Sequence, residues 1–157
     1  MSDKDFMTSA VKLSGPWSIQ AIETFLAASI IPVRLSVLGS EGAPIVASHW
    51  FIHENGVIRC ATQQGSVIYK CLQSNIKCGF EVSPDNAPYR GVRGQGTASL
   101  DLDENKAMLA RLHDRYRGEK RSKFREWLLN RDAAEFIISV RPSRIMSWDY
   151  STRMTAT

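Results

Sequence analysis

One segment, residues 88–102, constrains the fold more than any other part of this 157-residue chain. It reads Pro-Tyr-Arg-Gly-Val-Arg-Gly-Gln-Gly-Thr-Ala-Ser-Leu-Asp-Leu, and from its fifth residue onward small or apolar residues alternate with polar ones. This period of two predicts a long β-strand with one buried face. Gly94 and Gly96 fall on that buried face, where glycine marks a bulge or a place where another backbone or a ligand comes close. Arg90 and Arg93 add the capacity to bind an anion.

The composition limits the class of protein. The length fits one domain with a real core, and 43% hydrophobic and 23% charged residues are ordinary globular values. A net charge of +4 suits anionic ligands but is too weak to indicate nucleic acid. No apolar run is long enough for a membrane span and no secretory signal begins the chain, so we expect a cytoplasmic protein. Three scattered cysteines argue against a disulfide framework and a zinc site.

Periodicity and turn residues predict short antiparallel strands with helices at their ends. The Asn55-Gly56 pair is a hairpin signal, so the second and third strands should continue the first as a meander. Helix caps are expected at Ser18, Ser66, Asp103 and Ser122. The predicted strands cover 33–38, 44–52, 57–62, 77–83, 88–102, 136–140 and 144–150.

These elements predict a mainly β (α+β) fold, because a sheet of this size avoids open edges by closing into a barrel. We expect a loosely ordered lead-in over residues 1–16, a single domain over 17–150 and a short tail over 151–157. No internal repeat or linker interrupts the domain.

Conventional catalytic and metal signatures are missing from the sequence. The histidines His49, His53 and His113 have no partners at metal spacing, and no nucleophile elbow or P-loop occurs. We therefore predict no metal site and name no catalytic residue. The basic residues near 111–125 are diluted by acidic ones, so we expect a solvated helix face and no nucleic-acid partner.

The segment from Thr62 to Lys70 offers a different kind of site. It joins a strand to the start of a helix and supplies two hydroxyls and a cation, which together with helix N-terminal N–H groups suit a phosphate. The alternative interpretation is an ordinary N-cap at Ser66 with a solvated Lys70. Spacing alone leaves both interpretations open.

The order of these motifs resembles that of the pyridoxamine 5′-phosphate oxidase-like, FMN-binding split barrels, in particular their small related members. The resemblance covers about residues 17–150. The matching segments are 33–38, Gly42-Ala43-Pro44, His49-Trp50-Phe51, Ala61-Thr62, Gly65-Ser66, Pro88 to Val92 with Gly96, and Arg144 to Trp148.

This resemblance implies a six-stranded antiparallel Greek-key split barrel with peripheral helices that forms a homodimer, with FMN or a deazaflavin in a groove between protomers. It implies that strand residues face the cofactor, that a strand-to-helix segment holds its phosphate, and that two further residues reach the site from the partner chain or the rim. The residues facing the cofactor would be Ser48, His49, Trp50, Ala61 and Thr62. Those holding the phosphate would be Ser66 and Lys70, and those from the partner chain or the rim Arg90 and Trp148. The partner interface would also explain the inner glycines of the long strand.

One departure concerns the phosphate grip. Many members carry a basic pair directly after the serine, where this chain has Val67 and Ile68. Either Lys70, Arg34 or Arg93 compensates for the missing pair, or the affinity for the cofactor is reduced. The resemblance as a whole implies an FMN-dependent oxidoreductase acting on an unidentified small molecule. The alternatives are a deazaflavin-dependent reductase of the same fold and a non-enzymatic flavin carrier, which the missing pair favours. Since Arg90 and Arg93 lie on opposite faces of their strand, we expect replacement of Arg90 to impair flavin binding or dimerisation more.

Overall fold

A computed structural model of the chain describes residues 11–118 and 121–155, which form one β-sheet with helices around it. The described strands are β1 (Lys12–Ser14), β2 (Val33–Leu38), β3 (Pro44–His49), β4 (Ile52–Glu54), β5 (Val57–Gln63), β6 (Lys77–Val82), β7 (Arg90–Leu102) and β8 (Glu135–Asp149). The α-helices are α1 (Ile19–Ala28), α2 (Val67–Ser74), α3 (Ala107–Arg117), α4 (Lys123–Leu129) and α5 (Ser151–Met154), with a 3₁₀ turn at Glu104–Lys106.

The mainly β class is confirmed, but the expected six antiparallel strands are not. The described residues form an eight-stranded sheet, and β1 pairs with β8 in parallel. Lys12–Ser14 therefore belongs to the sheet and not to a loosely ordered lead-in. Residues 1–10 of the predicted lead-in and 156–157 of the predicted tail lie outside the described residues.

The sheet runs in the order β3-β2-β6-β7-β8-β5-β4, and its two ends are adjacent in the sequence. β3 ends at His49 and β4 begins at Ile52, so the strand predicted over 44–52 breaks at Trp50 and Phe51. The break occurs because Phe51 is fully buried and its N–H donates to the Tyr116 hydroxyl at 3.2 Å. The predicted meander is therefore wrong, since the two hairpins lie at opposite ends of the sheet path.

The core fills the space inside the curved sheet and beneath the helices. α1 buries Ile22 and Leu26, and α2 buries Ile68 and Leu72, each pair at helical spacing. The predicted capping serines are confirmed, with side chains that accept N–H bonds at the starts of α1, α2 and α4. None of the helices in the described ranges is long and apolar enough to cross a membrane.

The alternation of β7 is confirmed from Val92 to Ala98, and its inner glycines mark the close approach of another backbone, as the sequence predicted. A Cβ at Gly94 would lie 2.3 Å from the Arg144 carbonyl oxygen, and one at Gly96 would lie 2.2 Å from that of Arg141. These neighbours belong to β8 of the same chain. The glycines therefore admit the adjacent strand within one protomer.

β8 runs as one strand of 15 residues, where two separate strands over 136–140 and 144–150 were predicted. The register of β7 against β8 shifts between Gln95 and Gly96, where Gly96 faces Pro142. This bulge accommodates the proline without ending the strand. β8 consequently pairs with β5 through its first half and with β7 along its length.

Candidate functional site

Four of the predicted site residues line one cavity of about 230 Å³ at the seam of the sheet. Ser48 and His49 come from the end of β3, Trp50 from the break that follows, and Ala61 from β5. Three further residues complete the lining, namely Pro32, Leu109 and Leu112. The cavity therefore lies where β3 ends and the chain leaves the sheet before β4 begins.

His49 has a polar atom that protein groups leave unsatisfied. Its Nε2 is buried and has no hydrogen-bond partner within the described ranges. Burial lowers the pKa of the His49 imidazole below 6.5, against a smaller opposing effect of the Ala61 backbone. The ring is therefore neutral near pH 7. A buried unpaired polar atom costs free energy, so it marks a place where a ligand or water completes the bonding.

Aromatic packing from α3 holds Trp50 in place. The Trp50 ring stacks on Tyr116 with centroids 5.4 Å apart and an angle of 14°, and its edge meets His113 at 6.3 Å. The Tyr116 hydroxyl donates to the Ile31 carbonyl at 2.9 Å, which fixes the stacking partner. Local sequence patterns do not reveal this stacking, since the contact of Tyr116 with Trp50 joins distant parts of the chain.

Thr62 and Ser66 form a hydroxyl pair beside the start of α2. Their side-chain oxygens lie 2.7 Å apart, and Ser66 Oγ accepts the Tyr69 N–H at 3.1 Å. The N-cap interpretation of Ser66 is therefore confirmed. The N–H groups of Val67 and Ile68 are the first of the helix and have no acceptor in a preceding turn, which leaves them directed outward beside the two hydroxyls.

The absence of a cation at position 68 has a packing reason, which does not extend to position 67. Ile68 is 5% exposed and belongs to the core, whereas Val67 is 59% exposed. A cation at position 68 would be buried in apolar surroundings at a large free-energy cost. Lys70 lies exposed one helical turn further on.

The remaining predicted residues, Arg90 and Trp148, do not reach this cavity within one protomer. Ala61 pairs with Ile137 near the start of β8, whereas Trp148 stands 11 residues further along the same strand. Along the strand this separation is at most about 36 Å. Neither Arg90 nor Trp148 is among the residues that line the cavity of their own chain.

Arg93, and not Arg90, contacts Trp148. Its guanidinium lies 5.3 Å from the Trp148 ring centroid, and one of its nitrogens donates to Met146 Sδ at 3.2 Å. Arg90 is exposed and pairs in register with Asp149. The sequence missed the Arg93 contact because it depends on the register between β7 and β8.

Other candidate chemistry is limited in the described ranges. No three histidine, cysteine, aspartate or glutamate residues among them lie close enough to hold a metal ion. The cysteines are free, and burial raises the pKa of the Cys78 thiol to about 11 and that of Cys60 still further. Buried thiols of this kind are inert.

Comparison with known proteins identifies the fold. No protein-family model and no curated protein sequence matches the chain. The conserved hypothetical protein Rv2991 of Mycobacterium tuberculosis superposes with a TM-score of 0.72 at 19% identity, over 88% of this chain and 89% of that one. An F420 reductase gives 0.64 at 24% identity, over 76% and 92%. A protein from Listeria innocua, provisionally named pyridoxamine 5′-phosphate oxidase, gives 0.60 at 15%, over 82% and 94%.

The chain thus has the pyridoxamine 5′-phosphate oxidase-like split-barrel fold, and the resemblance read from its motifs is confirmed at that level. The three superpositions cover most of this chain and nearly all of each neighbour.

Proposed function

We propose that this protein binds FMN at the seam cavity as a homodimer and acts as an oxidoreductase on a small molecule. The observation that carries the proposal is the unpartnered, buried Nε2 of His49 in a cavity that opens where β3 breaks. The likeness to an F420 reductase and to a protein named for pyridoxamine 5′-phosphate oxidase supports a flavin or deazaflavin as the ligand.

The residues at the seam cavity and the start of α2 suit a flavin, except that no basic pair follows Ser66 to hold its phosphate. A bound flavin would supply the electron-transfer chemistry, and the protein would bind and orient it. Trp50, held by Tyr116, offers a fixed aromatic surface, and His49 offers a neutral hydrogen-bonding atom. The hydroxyls of Thr62 and Ser66 would hold the phosphate together with the N-terminal N–H groups of α2.

Two observations favour a partner protomer in the site. The seam cavity, about 230 Å³, is smaller than the roughly 300–1,000 Å³ usual for ligand pockets. Arg90 and Trp148 do not line the cavity of their own chain, so a second copy is the natural source of their predicted contact. We therefore propose that each site takes its seam residues from one protomer and Trp148 from the other.

Specific observations support each alternative. The F420 reductase is the most similar in sequence of the three neighbours, at 24% identity, which favours a deazaflavin. The apolar residues Val67 and Ile68 favour a carrier that holds its cofactor loosely and has no turnover. The visible spectrum of the purified protein and the mass of any released chromophore distinguish FMN from a deazaflavin.

The role of His49 is tested by titrating FMN and a deazaflavin into wild type and H49L. We expect the variant to bind about tenfold more weakly, since one hydrogen bond in a buried site is lost. H53L is the matched control, because His53 lies on β4 outside the cavity lining. A colourless wild-type protein that binds neither compound would overturn the proposal, and tight binding without turnover of reduced nicotinamides would favour the carrier.

The shared site is tested by mixing two variants in which flavin binding should be weakened, H49L and W148L, at a flavin concentration that saturates only intact sites. Random pairing of protomers would restore one intact site in each mixed dimer, or about a quarter of all sites. Sedimentation of the wild type first establishes whether it is a dimer. No recovery of flavin binding in a mixture that demonstrably exchanges subunits would show that Trp148 does not complete the site.

A further inference from the structure

A second concave surface lies on the outer face of the sheet, separate from the seam cavity. It encloses about 550 Å³ and crosses β2, β6, β7 and β8 with one residue from β3. Strand register places its lining in two neighbouring rows. Across the strands, the first row is Arg34, Glu81, Arg93 and Met146, and the second is Val46, Ser36, Gly79, Gln95 and Arg144.

The floor of this outer groove is open at its centre. Gly79 lies in the middle of the second row and leaves the space above the sheet unfilled. A Cβ there would meet its nearest atoms at 3.6 and 3.8 Å, which is ordinary contact, so no close approach requires the glycine. The volume falls in the range of small-molecule pockets.

The lining is positively charged, with the three arginines Arg34, Arg93 and Arg144 against the single carboxylate of Glu81. Neutral groups hold Arg93, namely the Met146 sulfur at 3.2 Å and the Trp148 ring at 5.3 Å. Within the described ranges, neither Arg93 nor Arg144 makes an ion pair.

Arg34 differs from the other two arginines of the groove. It pairs with Asp85 at 3.0 Å, and the carboxylate side chain of Asp85 is 87% exposed. Such an exposed ion pair contributes little free energy, so Arg34 can release the Asp85 carboxylate and bind another anion.

Geometry brings Arg93 and Arg144 together. Arg144 faces Gln95, and Arg93 faces Met146, so the two arginines are diagonal neighbours on adjacent strands. Diagonal pairs on one sheet face stand about 7–8 Å apart, within reach of long side chains. Two guanidinium groups at this spacing can both hydrogen-bond one oxyanion, for which their planar forks are well suited.

We propose that the outer groove binds a small organic anion, whose phosphate or carboxylate group lies between Arg93 and Arg144 and whose body covers Gly79. The Trp148 and Met146 contacts hold Arg93 ready, which lowers the conformational cost of binding. The groove shares no lining residue with the seam cavity, and Trp148 is the one residue that it has in common with the proposed dimer site. A titration with inorganic phosphate or acetate needs no flavin, so its failure is distinguishable from failure of the proposed function.

Glu81 makes the proposal more specific. Its carboxylate lies between Arg34 and Arg93 in the first row and repels an anion bound nearby. Neutralising it as E81Q should therefore strengthen anion binding, whereas a site elsewhere on the protein would not respond. A monoanion should be repelled less than a dianion.

The test is a titration of the ¹⁵N-labelled full chain with inorganic phosphate and, separately, with acetate at constant ionic strength, followed by amide chemical shifts. We expect saturable shifts at Gly79, Gln95 and their strand neighbours. R93Q and R144Q should each weaken binding about tenfold, since each removes a charge-assisted hydrogen bond. R141Q is the matched control, because Arg141 is an exposed arginine of β8 outside the lining.

The two probes distinguish the source of the anionic group, and binding of either one with loss in R93Q and R144Q supports the site. Both arginines are exposed, so these variants should keep the wild-type Tm. Shifts that do not saturate, that fall outside the groove, or that are unchanged in R93Q and R144Q would overturn the proposal. So would E81Q binding more weakly than wild type.

Discussion

Replacing Gly96 by alanine should destabilise the fold severely, although the change adds only one methyl group. The Cβ would lie 2.2 Å from the Arg141 carbonyl oxygen and 2.9 Å from the Pro142 Cα. Ordinary contact begins at 3.4 Å, so the two backbones must separate by about 1.2 Å at the bulge. No flexible side chain can yield instead, because both neighbours are backbone atoms.

The free-energy cost follows from these contacts. Overpacking of a well-packed site costs about 1–3 kcal/mol. Separation of β7 from β8 also weakens ladder hydrogen bonds that contribute about 0.5–1.5 kcal/mol each. We therefore expect G96A to lose about 3 kcal/mol of unfolding free energy, which corresponds to a Tm lower by about 6–12 °C in a chain of this length.

G79A provides the matched control, since Gly79 occupies the neighbouring strand β6 and has room for a Cβ at 3.6 Å. That variant should be neutral or more stable by about 0.5 kcal/mol, because glycine weakens a strand interior. Urea unfolding followed by circular dichroism measures both variants. Similar stabilities for G96A and G79A would show that the bulge yields at little cost and would refute the close-approach argument.

Three further changes test other contacts. R115M should lower the free energy of unfolding by about 2–3 kcal/mol, because one Arg115 nitrogen donates to three carbonyls at the end of α1, at 2.7, 2.8 and 3.2 Å. An unchanged midpoint of urea unfolding would contradict this. The hydrogen bond from Arg125 lowers the pKa of Asp114 below 3.8. The ionised Asp114 therefore stabilises the fold above pH 3.8, and this stabilisation is lost as the pH falls further. The Tm difference between wild type and D114N should narrow below about pH 4. Iodoacetamide at pH 8 should modify the partly exposed Cys71 before the buried Cys78, as peptide mass spectrometry would detect.

Local patterns predicted the parts of the fold that depend on neighbouring residues. The alternation of β7, the serine caps and the Asn55-Gly56 turn each follow from a few adjacent side chains. The break after His49 could not be predicted in this way, since the Phe51 N–H finds its acceptor 65 residues away at Tyr116. Likewise, the continuity of β8 depends on a bulge opposite another strand.

The residues of the candidate site likewise fall into those that the sequence predicted and those that depend on distant contacts. The resemblance grouped five residues as facing the cofactor, and the cavity lining contains Ser48, His49, Trp50 and Ala61 but not Thr62. The lining from α3 was missed, because helix periodicity identifies an apolar face without indicating what it covers. The expectation that replacing Arg90 impairs flavin binding or dimerisation more than replacing Arg93 stays a prediction. The contact between Arg93 and Trp148 favours the opposite order.

The pairing of β8 has a consequence for how the chain folds. This strand pairs with β1, β5 and β7, and it joins Val140 to Ile58 across 82 residues. The hairpins β2–β3 and β4–β5 can form early from local contacts, but they cannot be joined until β8 is present. During synthesis, β5 and β7 therefore expose unpaired edges until the last long strand emerges, which is the stage at which we expect the chain to be most prone to aggregation.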